Sequence, residues 1–326
     1  KPSVIITPAS ITNALRVLLA IGGSTNGVIH LAALAGRIGI EIDYAAFDRI
    51  GRETPVLVDL KPSGAHYMED LNKAGGLAPI LRELRSLLDL DCMTVTGRTL
   101  GEELDVAPPA WPQEVVRPRD NPLHSEGGIA VLSGNLAPDG AIIKHSAATV
   151  ELLQHEGRAV VFDSLDDMAE RIDDPDLDVT AEDVLVLRNA GPKGAPGMPE
   201  AGYIPIPKKL ARAGVKDMLR ISDARMSGTA FGAIVLHLCP EAAVGGPLAL
   251  VQNGDCIRLD VENRTLNVLV SDEELAARRA AWTPPPPHAG AERGWLALYL
   301  AHVQQADKGC DLDILSVAPT GTRAPI

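Results

Sequence analysis

The amino-acid sequence predicts an α/β protein in which the remainder of an α/β layered domain is followed by a β-barrel-like domain decorated with helices. Apolar residues recur at helical spacing near the start of the chain, and short apolar runs alternate with turns in its second half. A proline-rich stretch at 103–126 lies between them. Since 326 residues exceed one ordinary hydrophobic core, we predict two domains, 1–122 and 123–326.

Residues 8–40 are predicted to be helical with one interruption. Ser10 or Thr12 can cap a run whose apolar residues recur every three or four positions, and the pattern resumes after Gly22–Asn26. The Gly-Gly-Ser-Thr-Asn break has two interpretations. It can present backbone N–H groups to an anion at the start of the second helix, or it can be a tight junction between two packed helices.

The next segment alternates helix and strand, which indicates an α/β layered unit. The proline and polar residues of 103–126 then have the composition of a linker, which places a domain boundary near 115–125. The elements predicted before the linker are a short helix near 44–50, a strand at 56–60 and helices at about 67–73 and 77–88.

Beyond the linker, short runs of Val, Ile, Leu and Ala are typical of strands. An Asn253-Gly254 turn is predicted to join two of them as a hairpin. Many short strands with tight turns indicate a barrel or a sandwich. The predicted strands are 129–132, 141–144, 159–162, 184–187, 218–221, 233–236, 248–251, 256–261 and 266–270, with a helix at about 165–172.

Two helices are predicted near the end of the chain. The first opens at the capping box Ser271-Asp-Glu-Glu274 and ends near Trp282, before four consecutive prolines. The second, 295–306, carries its apolar residues on one face and is suited to a subunit contact. We therefore expect a homo-oligomer, either a dimer or a tetramer.

Composition argues against several classes of partner. A net charge of −13 disfavours nucleic acid, because phosphate binding requires a basic face. No apolar run reaches membrane-spanning length, and no signal-peptide pattern is visible. The four cysteines are widely scattered without a C-x-x-C pair, which indicates reduced thiols and a cytoplasmic location. We expect a small molecule as the partner, and neither nucleic acid nor membrane.

The loop Gly191–Glu200 contains three glycines and three prolines and ends in a carboxylate. Such a loop is stiff and lets a ligand approach its backbone closely. Glu200 can bind a hard divalent cation such as Mg²⁺, or it can be an ordinary solvated acid. A Walker-type phosphate loop is excluded, because no Gly-Lys-Ser/Thr follows the glycines.

A second loop, Asp223–Gly232, lies between two predicted strands and contains Arg225, Ser227 and Thr229. Its sequence differs from the G-x-S-x-G nucleophile elbow, and no His is placed to act as partner base. If Ser227 reacts, a metal ion, Arg225 or a helix N-terminus must stabilise its alkoxide. The alternative is a Ser that only caps the following element. We predict that the two loops form one half of an active site.

Motifs distributed in order along nearly the whole chain carry a resemblance to a known family. They are Gly22–Asn26, Asp59–Gly64, Met68–Leu71, Asp91–Gly97, Asn135–Gly140, Gly191–Glu200, Ser222–Gly228, Pro240–Ala243 and Val270–Glu274. In these motifs the chain resembles the iron–sulfur dehydratase family of dihydroxy-acid, 6-phosphogluconate and sugar-acid dehydratases. Ala224–Thr229 and Tyr203–Pro207 look like the pentonate dehydratases that act on L-arabinonate or D-xylonate.

This resemblance implies dehydration of a sugar acid to a 2-keto-3-deoxy acid, with a [2Fe–2S] cluster as Lewis acid and Mg²⁺ on the carboxylate and C2 hydroxyl. It implies that Ser227 is the base, as an alkoxide, and that Glu200 binds Mg²⁺. We assign Thr229 and Arg225 to substrate binding. Branched-chain dihydroxy-acid dehydratases typically have Gly where Thr229 stands, and the Thr hydroxyl can bond to a polyol.

The cysteines depart from the family pattern. The family's three cluster cysteines and its other Mg²⁺ ligands precede the segment that matches Ser10–Asn26, and Cys92 matches a cysteine that is not a ligand. We therefore expect a C-terminal portion that lacks the N-terminal part and holds no Fe–S ligands, and expect residues 1–326 alone to be colourless and inactive. The alternatives are dihydroxy-acid dehydratase of branched-chain amino-acid synthesis and a non-catalytic fragment.

Overall fold

The computed structural model describes residues 1–109, 111–227 and 231–317, in which the second half of the chain forms a closed eight-stranded barrel and the first half is helical. The prediction of a mixed α/β protein with a barrel is confirmed. Thr229 lies outside the described residues. The strands are β1 (Ala130–Gly134), β2 (Ala137–Ile143), β3 (Gln154–Phe162), β4 (Val184–Leu187), β5 (Arg220–Ser222), β6 (Ile234–Cys239), β7 (Cys256–Asp260) and β8 (Thr265–Val268).

Helices dominate the first half and decorate the barrel in the second. The second helix begins at a capping box between Thr7 and Ser10, with Pro8 at its first position, so Thr7 is the cap instead of Ser10 or Thr12. The helices are α1 (Pro2–Ile5), α2 (Pro8–Ala20), α3 (Asn26–Gly36), α4 (Tyr44–Glu53), α5 (Met68–Lys73), α6 (Leu77–Glu83), α7 (Leu100–Val106), α8 (Leu165–Arg171), α9 (Lys208–Arg212), α10 (Asp272–Ala281) and α11 (Gly294–His302).

The α/β layering predicted for the first half is not confirmed. Residues 56–60 form isolated bridges to Val116, His124 and His66, and no strand is assigned in the described residues before β1. Their partner is the linker segment, in which Pro118 and Pro122 lack the N–H groups that a continuous ladder requires. A sheet layer therefore does not develop on this side of the barrel.

The barrel strands follow the order β1-β2-β6-β5-β4-β3-β7-β8, and β8 closes onto β1 through Ser133 and Thr265. Neighbouring strands from β3 to β6 are parallel, and the other pairs, apart from this closure, are antiparallel. Side chains alternate between the two faces of each strand. Ala141 and Ile143 of β2 join the buried cluster that includes residues from all eight strands, whereas Ile142 packs outward.

Helices α2, α3 and α4 cover the outer face of β1 and β2. Leu15, Val28 and Phe47 pack in one buried cluster with Val131 and Ile142. Because this cluster spans the proposed boundary, the division into 1–122 and 123–326 stays a prediction. None of the helices in the described part of the chain combines the length and apolarity that crossing a bilayer requires.

One strand predicted for the second half of the chain is wrong. Pro247–Leu250 is a short 3₁₀ helix, so Asn253-Gly254 does not join a hairpin of 248–251 and 256–261. Pro247 takes the first helical position, where its fixed φ favours helix, and the left-handed Gly245 (φ +81°) turns the chain before it. The real hairpin joins β7 and β8, with Leu259 opposite Leu266.

Candidate active site

The two glycine-containing loops of the barrel lie against each other. The loop 191–200 follows β4, and the loop 223–232 connects β5 with β6. Arg225 Nε donates to the Met198 carbonyl at 2.6 Å, and Gly202 N donates to the Arg225 carbonyl at 2.8 Å. Parallel β4 and β5 carry both loops from the same edge of the barrel, which explains why segments distant in sequence meet there.

The N-terminal helices supply a third component. Asn26, the first residue of α3, donates from Nδ2 to Glu200 Oε1 at 2.8 Å and to the Met226 carbonyl at 3.0 Å. Ser227 follows directly and is partly buried. Arg225 Nη1 lies 3.6 Å from Glu200 Oε1. The structure thus brings Glu200, Arg225 and Ser227 together around Asn26.

Asp223 fixes the start of the Ser227 loop. Its carboxylate is 1% exposed and accepts hydrogen bonds from the backbone N–H groups of Asn189, Ala190 and Ala242 at 2.9 to 3.2 Å. Burial raises the pKa of Asp223 to about 7, although the three N–H donors oppose this shift. The carboxyl group holds the ends of β4, β5 and β6 in a fixed relation beneath the site.

Glu241 fixes the other loop in a similar way. Its buried carboxylate accepts from the backbone N–H groups of Lys193 and Gly194 at 2.9 to 3.0 Å and from Gln305 Nε2 at 2.7 Å. A Cβ atom at Gly191 would lie 2.6 Å from Glu241 Oε2, so this position requires glycine. Glu241 therefore holds the loop from below, and Glu200 is the carboxylate that contacts Asn26 and Arg225.

A cavity of about 360 Å³ opens beside these residues, between α3, the tip of the 191–200 loop and α11. Polar groups of Asn26, His30, Arg225 and Tyr299 line it together with Met198 and Cys310. Its size suits a small ligand, and its lining offers both hydrogen-bond donors and cationic groups.

The described residues do not fit a [2Fe–2S] cluster. No group of three or more His, Cys, Asp or Glu side chains converges among them. Cys239 and Cys310 share one apolar cluster, and burial raises the pKa of the Cys310 thiol to about 12 and that of Cys239 well above its usual value. A cluster requires thiolates, so we assign no cluster ligand in this part of the chain.

Glu200 and Asn26 do fit a hard cation. The Glu200 side chain is 43% exposed, and Asn26 Oδ1 is buried without a hydrogen-bond donor among the described residues. Carboxylate and amide oxygens are ligands that Mg²⁺ accepts, and it commonly uses only one or two protein carboxylates.

Two family models together match most of the chain. The chain matches the model of the dihydroxy-acid/6-phosphogluconate dehydratase C-terminal region over residues 114–310 and that of the N-terminal region over residues 1–103. The chain belongs to this dehydratase family. Because both regions of the family are represented, the expectation of a C-terminal portion alone is wrong.

Curated relatives of this dehydratase chain include sugar-acid enzymes. It is 52% identical to L-arabonate dehydratase of Azospirillum brasilense over 99% of the chain and 56% of the relative. It is 50% identical to 6-deoxy-6-sulfo-D-gluconate dehydratase of Pseudomonas putida over 100% of the chain and 56% of that relative. It is 45% identical to dihydroxy-acid dehydratase of Methanothrix thermoacetophila over 94% of the chain and 55% of that relative. The chain therefore spans about half the length of these relatives.

Several contacts of the candidate site could not be predicted from the sequence. Asn26 lies in a motif that we considered for anion binding through its backbone, but its side chain is what contacts Glu200, 174 positions away. Asp223 and Glu241 form their contacts through backbone N–H groups, whose positions depend on the folded loops. His237, a β6 residue, is fully buried, and neither ring nitrogen has a hydrogen-bond partner among the described residues.

Replacing His237 by Asn is expected to make folding less sensitive to acid. Burial, with a smaller effect of nearby Arg225, lowers the pKa of His237 to about 3, so the unfolded chain binds more protons between pH 3 and 6.5. As the pH falls from 7 to 5, protonation of this histidine in the unfolded chain lowers the free energy of unfolding by about 2 kcal/mol. Asn tolerates the left-handed φ of +58° at this position.

Urea unfolding measures the free energy of unfolding at pH 7 and at pH 5, and the difference between the two is compared in wild type and His237→Asn. Any effect of the smaller side chain that does not depend on pH cancels in this difference. His124→Asn, at an exposed position, is the matched control and should keep the native pH dependence. An unchanged difference in His237→Asn would show that the imidazole is charged or solvated in the folded protein.

Proposed function

We propose that this chain forms part of a sugar-acid dehydratase that converts a pentonate such as L-arabinonate or D-xylonate to the 2-keto-3-deoxy acid. The observation that supports it most is the identity of 50 to 52% with sugar-acid dehydratases, against 45% with a dihydroxy-acid dehydratase. The motif Ala224–Thr229, which looks like that of the pentonate dehydratases, gives further support.

Ser227 is the proposed base. Its alkoxide takes the C2 proton of the substrate, the C2–H electron pair forms the C2–C3 double bond, and the C3–O bond breaks. The departing hydroxide takes up the proton that Ser227 accepted, which gives water and restores the alkoxide. The enol then tautomerises to the ketone. The N-terminus of α3 approaches the same loop, since Asn26 bonds to the Met226 carbonyl, and its partial positive charge favours an alkoxide.

Glu200, with the Asn26 amide oxygen, is the proposed Mg²⁺ site of this chain. Bound Mg²⁺ would polarise the substrate carboxylate and so acidify the C2 proton. Arg225 is a proposed substrate-binding residue, since its guanidinium borders the cavity beside Glu200. Thr229 is proposed to bond to a substrate hydroxyl, on the motif alone.

A dihydroxy-acid dehydratase of branched-chain synthesis is the second candidate. Its support is the 45% identity over 94% of the chain. Such an enzyme has an apolar substrate side chain to bury, whereas a pentonate has hydroxyl groups that require hydrogen-bond partners. A site built to bond hydroxyl groups rejects an analogue that lacks them by large factors.

Turnover of a substrate panel separates the two functions. In the enzyme that carries this chain, loaded with its cofactors, we expect kcat/KM for L-arabinonate or D-xylonate to exceed that for 2,3-dihydroxyisovalerate by at least about 100-fold. Keto-acid product is measured for each compound at one Mg²⁺ concentration. The reverse order would favour the second candidate, and no keto acid from any compound would indicate a non-catalytic chain.

We further propose a cytoplasmic homo-oligomer, a dimer or tetramer. All four cysteines are free, which supports a reducing compartment. Helix α11 has no buried residue, and Trp295 at its start is 70% exposed, as a helix awaiting a subunit contact would be. Sedimentation of the purified enzyme at several concentrations tests the assembly, and a monomer throughout would overturn it.

A further inference from the structure

Lys144 is a buried cation for which no described residue supplies a partner. It follows β2 directly and is 4% exposed. No described residue forms a hydrogen bond or an ion pair with its ammonium group, and burial lowers the pKa of Lys144 to about 8. An unpaired buried charge is costly and uncommon, so an anion that is absent from the folded chain is its natural complement.

The strand register locates this side chain. Ile142 lies opposite Leu236 and Ile143 opposite Val235, so Lys144 follows opposite Ile234 of β6. Along β2, Ile143 points into the barrel and Ile142 points outward to the N-terminal helices. The alternation therefore directs Lys144 to the outer face, at the edge of the helical layer.

The Ser227 loop covers the same part of that face. Ile234 packs against Met226, the residue before Ser227. Farther along the loop, Gly232 N donates to the Ala147 carbonyl at 2.9 Å, which joins the loop to the segment that Lys144 begins. The end of β2 at which Lys144 stands thus lies next to β6 and next to the segment that contacts the loop of the proposed base.

The helical layer packs beside this segment and adds a buried polar group without a partner. In the Gly22–Asn26 junction, the Gly22 backbone faces the Ser146 hydroxyl, two residues after Lys144. Thr25, which precedes α3, is 1% exposed, and its hydroxyl has no hydrogen-bond partner among the described residues. Lys144 and the Thr25 hydroxyl therefore belong to two segments, the end of β2 and the start of α3, that both contact the loop carrying Ser227.

We propose that Lys144 is a further substrate-binding residue, whose ammonium group binds the carboxylate of the acid that Ser227 deprotonates. This inference rests on the proposed function. The carboxylate has two oxygens, so one can contact a cation at Glu200 while the other contacts Lys144. Burial removes water from the ammonium group, and a bound carboxylate would replace that lost hydration. Hydrogen bonds between an ammonium group and a carboxylate are charge-assisted and therefore strong.

Binding of an acid and of its neutral amide tests the role directly. In the full enzyme carrying Ser227→Ala to prevent turnover, calorimetry measures Kd for L-arabinonate and for L-arabinonamide, with and without Lys144→Met. We expect Lys144→Met to weaken binding of the acid by about 10- to 100-fold and to leave the amide within about threefold. Lys216→Met, at an exposed lysine, is the matched control and should change neither.

A merely structural role would weaken both ligands together, and this result would overturn the proposal, as would unchanged binding of the acid. Lys144→Arg should keep most of the preference for the acid. Thermal unfolding checks folding, and Lys144→Met should melt at or above the parent temperature because an unpaired buried charge is removed. If it does not fold, Lys144→Gln provides the same comparison.

The same data separate this proposal from the proposed function. If the acid is preferred and Lys144→Met abolishes the preference while the wild-type enzyme releases no keto acid, the anion site stands and the dehydratase function falls. If turnover is normal and Lys144→Met still prefers the acid, only the role of Lys144 falls. A parent enzyme that binds neither compound contradicts both.

Discussion

Replacing Ser227 by Ala in the enzyme that carries this chain is expected to lower kcat for the sugar acid by about 10²- to 10⁴-fold. The Oγ atom is the proposed acceptor of the C2 proton, and Ala offers no atom that can take it. The loop should survive, because Asp223 and Asn26 hold it through the neighbouring residues. The substrate Kd should therefore change by less than about threefold. Turnover assays give kcat and calorimetry gives Kd on the same preparation.

The matched control for this variant is Ser133→Ala, at an exposed serine of β1 on another side of the barrel. It should retain full turnover. The visible absorbance of the cofactor-loaded enzyme should be the same in all three proteins. Near-normal turnover by Ser227→Ala would remove Ser227 from the role of base and leave the interpretation that it only caps the following segment.

Glu200→Gln completes this comparison, because it should affect a different quantity. We expect the Mg²⁺ concentration for half-maximal turnover to rise about 10- to 100-fold, since a neutral amide is a weaker ligand than a carboxylate. Ser227→Ala should leave that concentration unchanged in its residual turnover. An unchanged Mg²⁺ requirement in Glu200→Gln would return Glu200 to the alternative of a solvated acid paired with Arg225.

Local sequence patterns predict most barrel strands because each strand is a short apolar run with its own turn signals. Val184–Leu187 is observed as predicted, and Cys256–Asp260 differs by one residue at its end. The patterns fail where the partner decides the outcome. Residues 56–60 have strand composition, but their proline-containing partner cannot continue a ladder, and the run before Val251 becomes helical after Pro247.

The candidate site divides in the same way. Glu200, Arg225 and Ser227 stand in glycine-containing loops whose composition is unusual enough to notice. Asn26 stands in a glycine-containing break and Lys144 at a strand end, and neither pattern shows which distant segment packs beside the residue in the fold. A single sequence carries no signal for such contacts, so they become visible only when the barrel and helices are in place.

Arg220 is the residue that ties both loops of the candidate site to the barrel. It is 1% exposed on the outer face of β5 and pairs with Asp217 at 2.6 Å. Its guanidinium also donates to the carbonyls of Tyr203 and Ile204, beyond Glu200, and of Phe231, beyond Ser227. A Cβ at Gly232 would lie 1.9 Å from Arg220 Nη2, so glycine is required where the loop crosses it.

Arg220→Met is expected to lower the free energy of unfolding by about 3–5 kcal/mol, because it leaves Asp217 buried without its cation and three loop carbonyls without donors. Arg220→Lys should recover only part of this loss, since one ammonium group cannot reproduce the planar fork of donors. Arg212→Met, at an exposed position of α9, should stay within about 0.5 kcal/mol in the same urea titration. A loss below about 1 kcal/mol in Arg220→Met would mean that water reaches Asp217 and the three carbonyls and replaces the guanidinium. In that case Asp223 and Glu241, and not Arg220, hold the loops that carry Glu200 and Ser227.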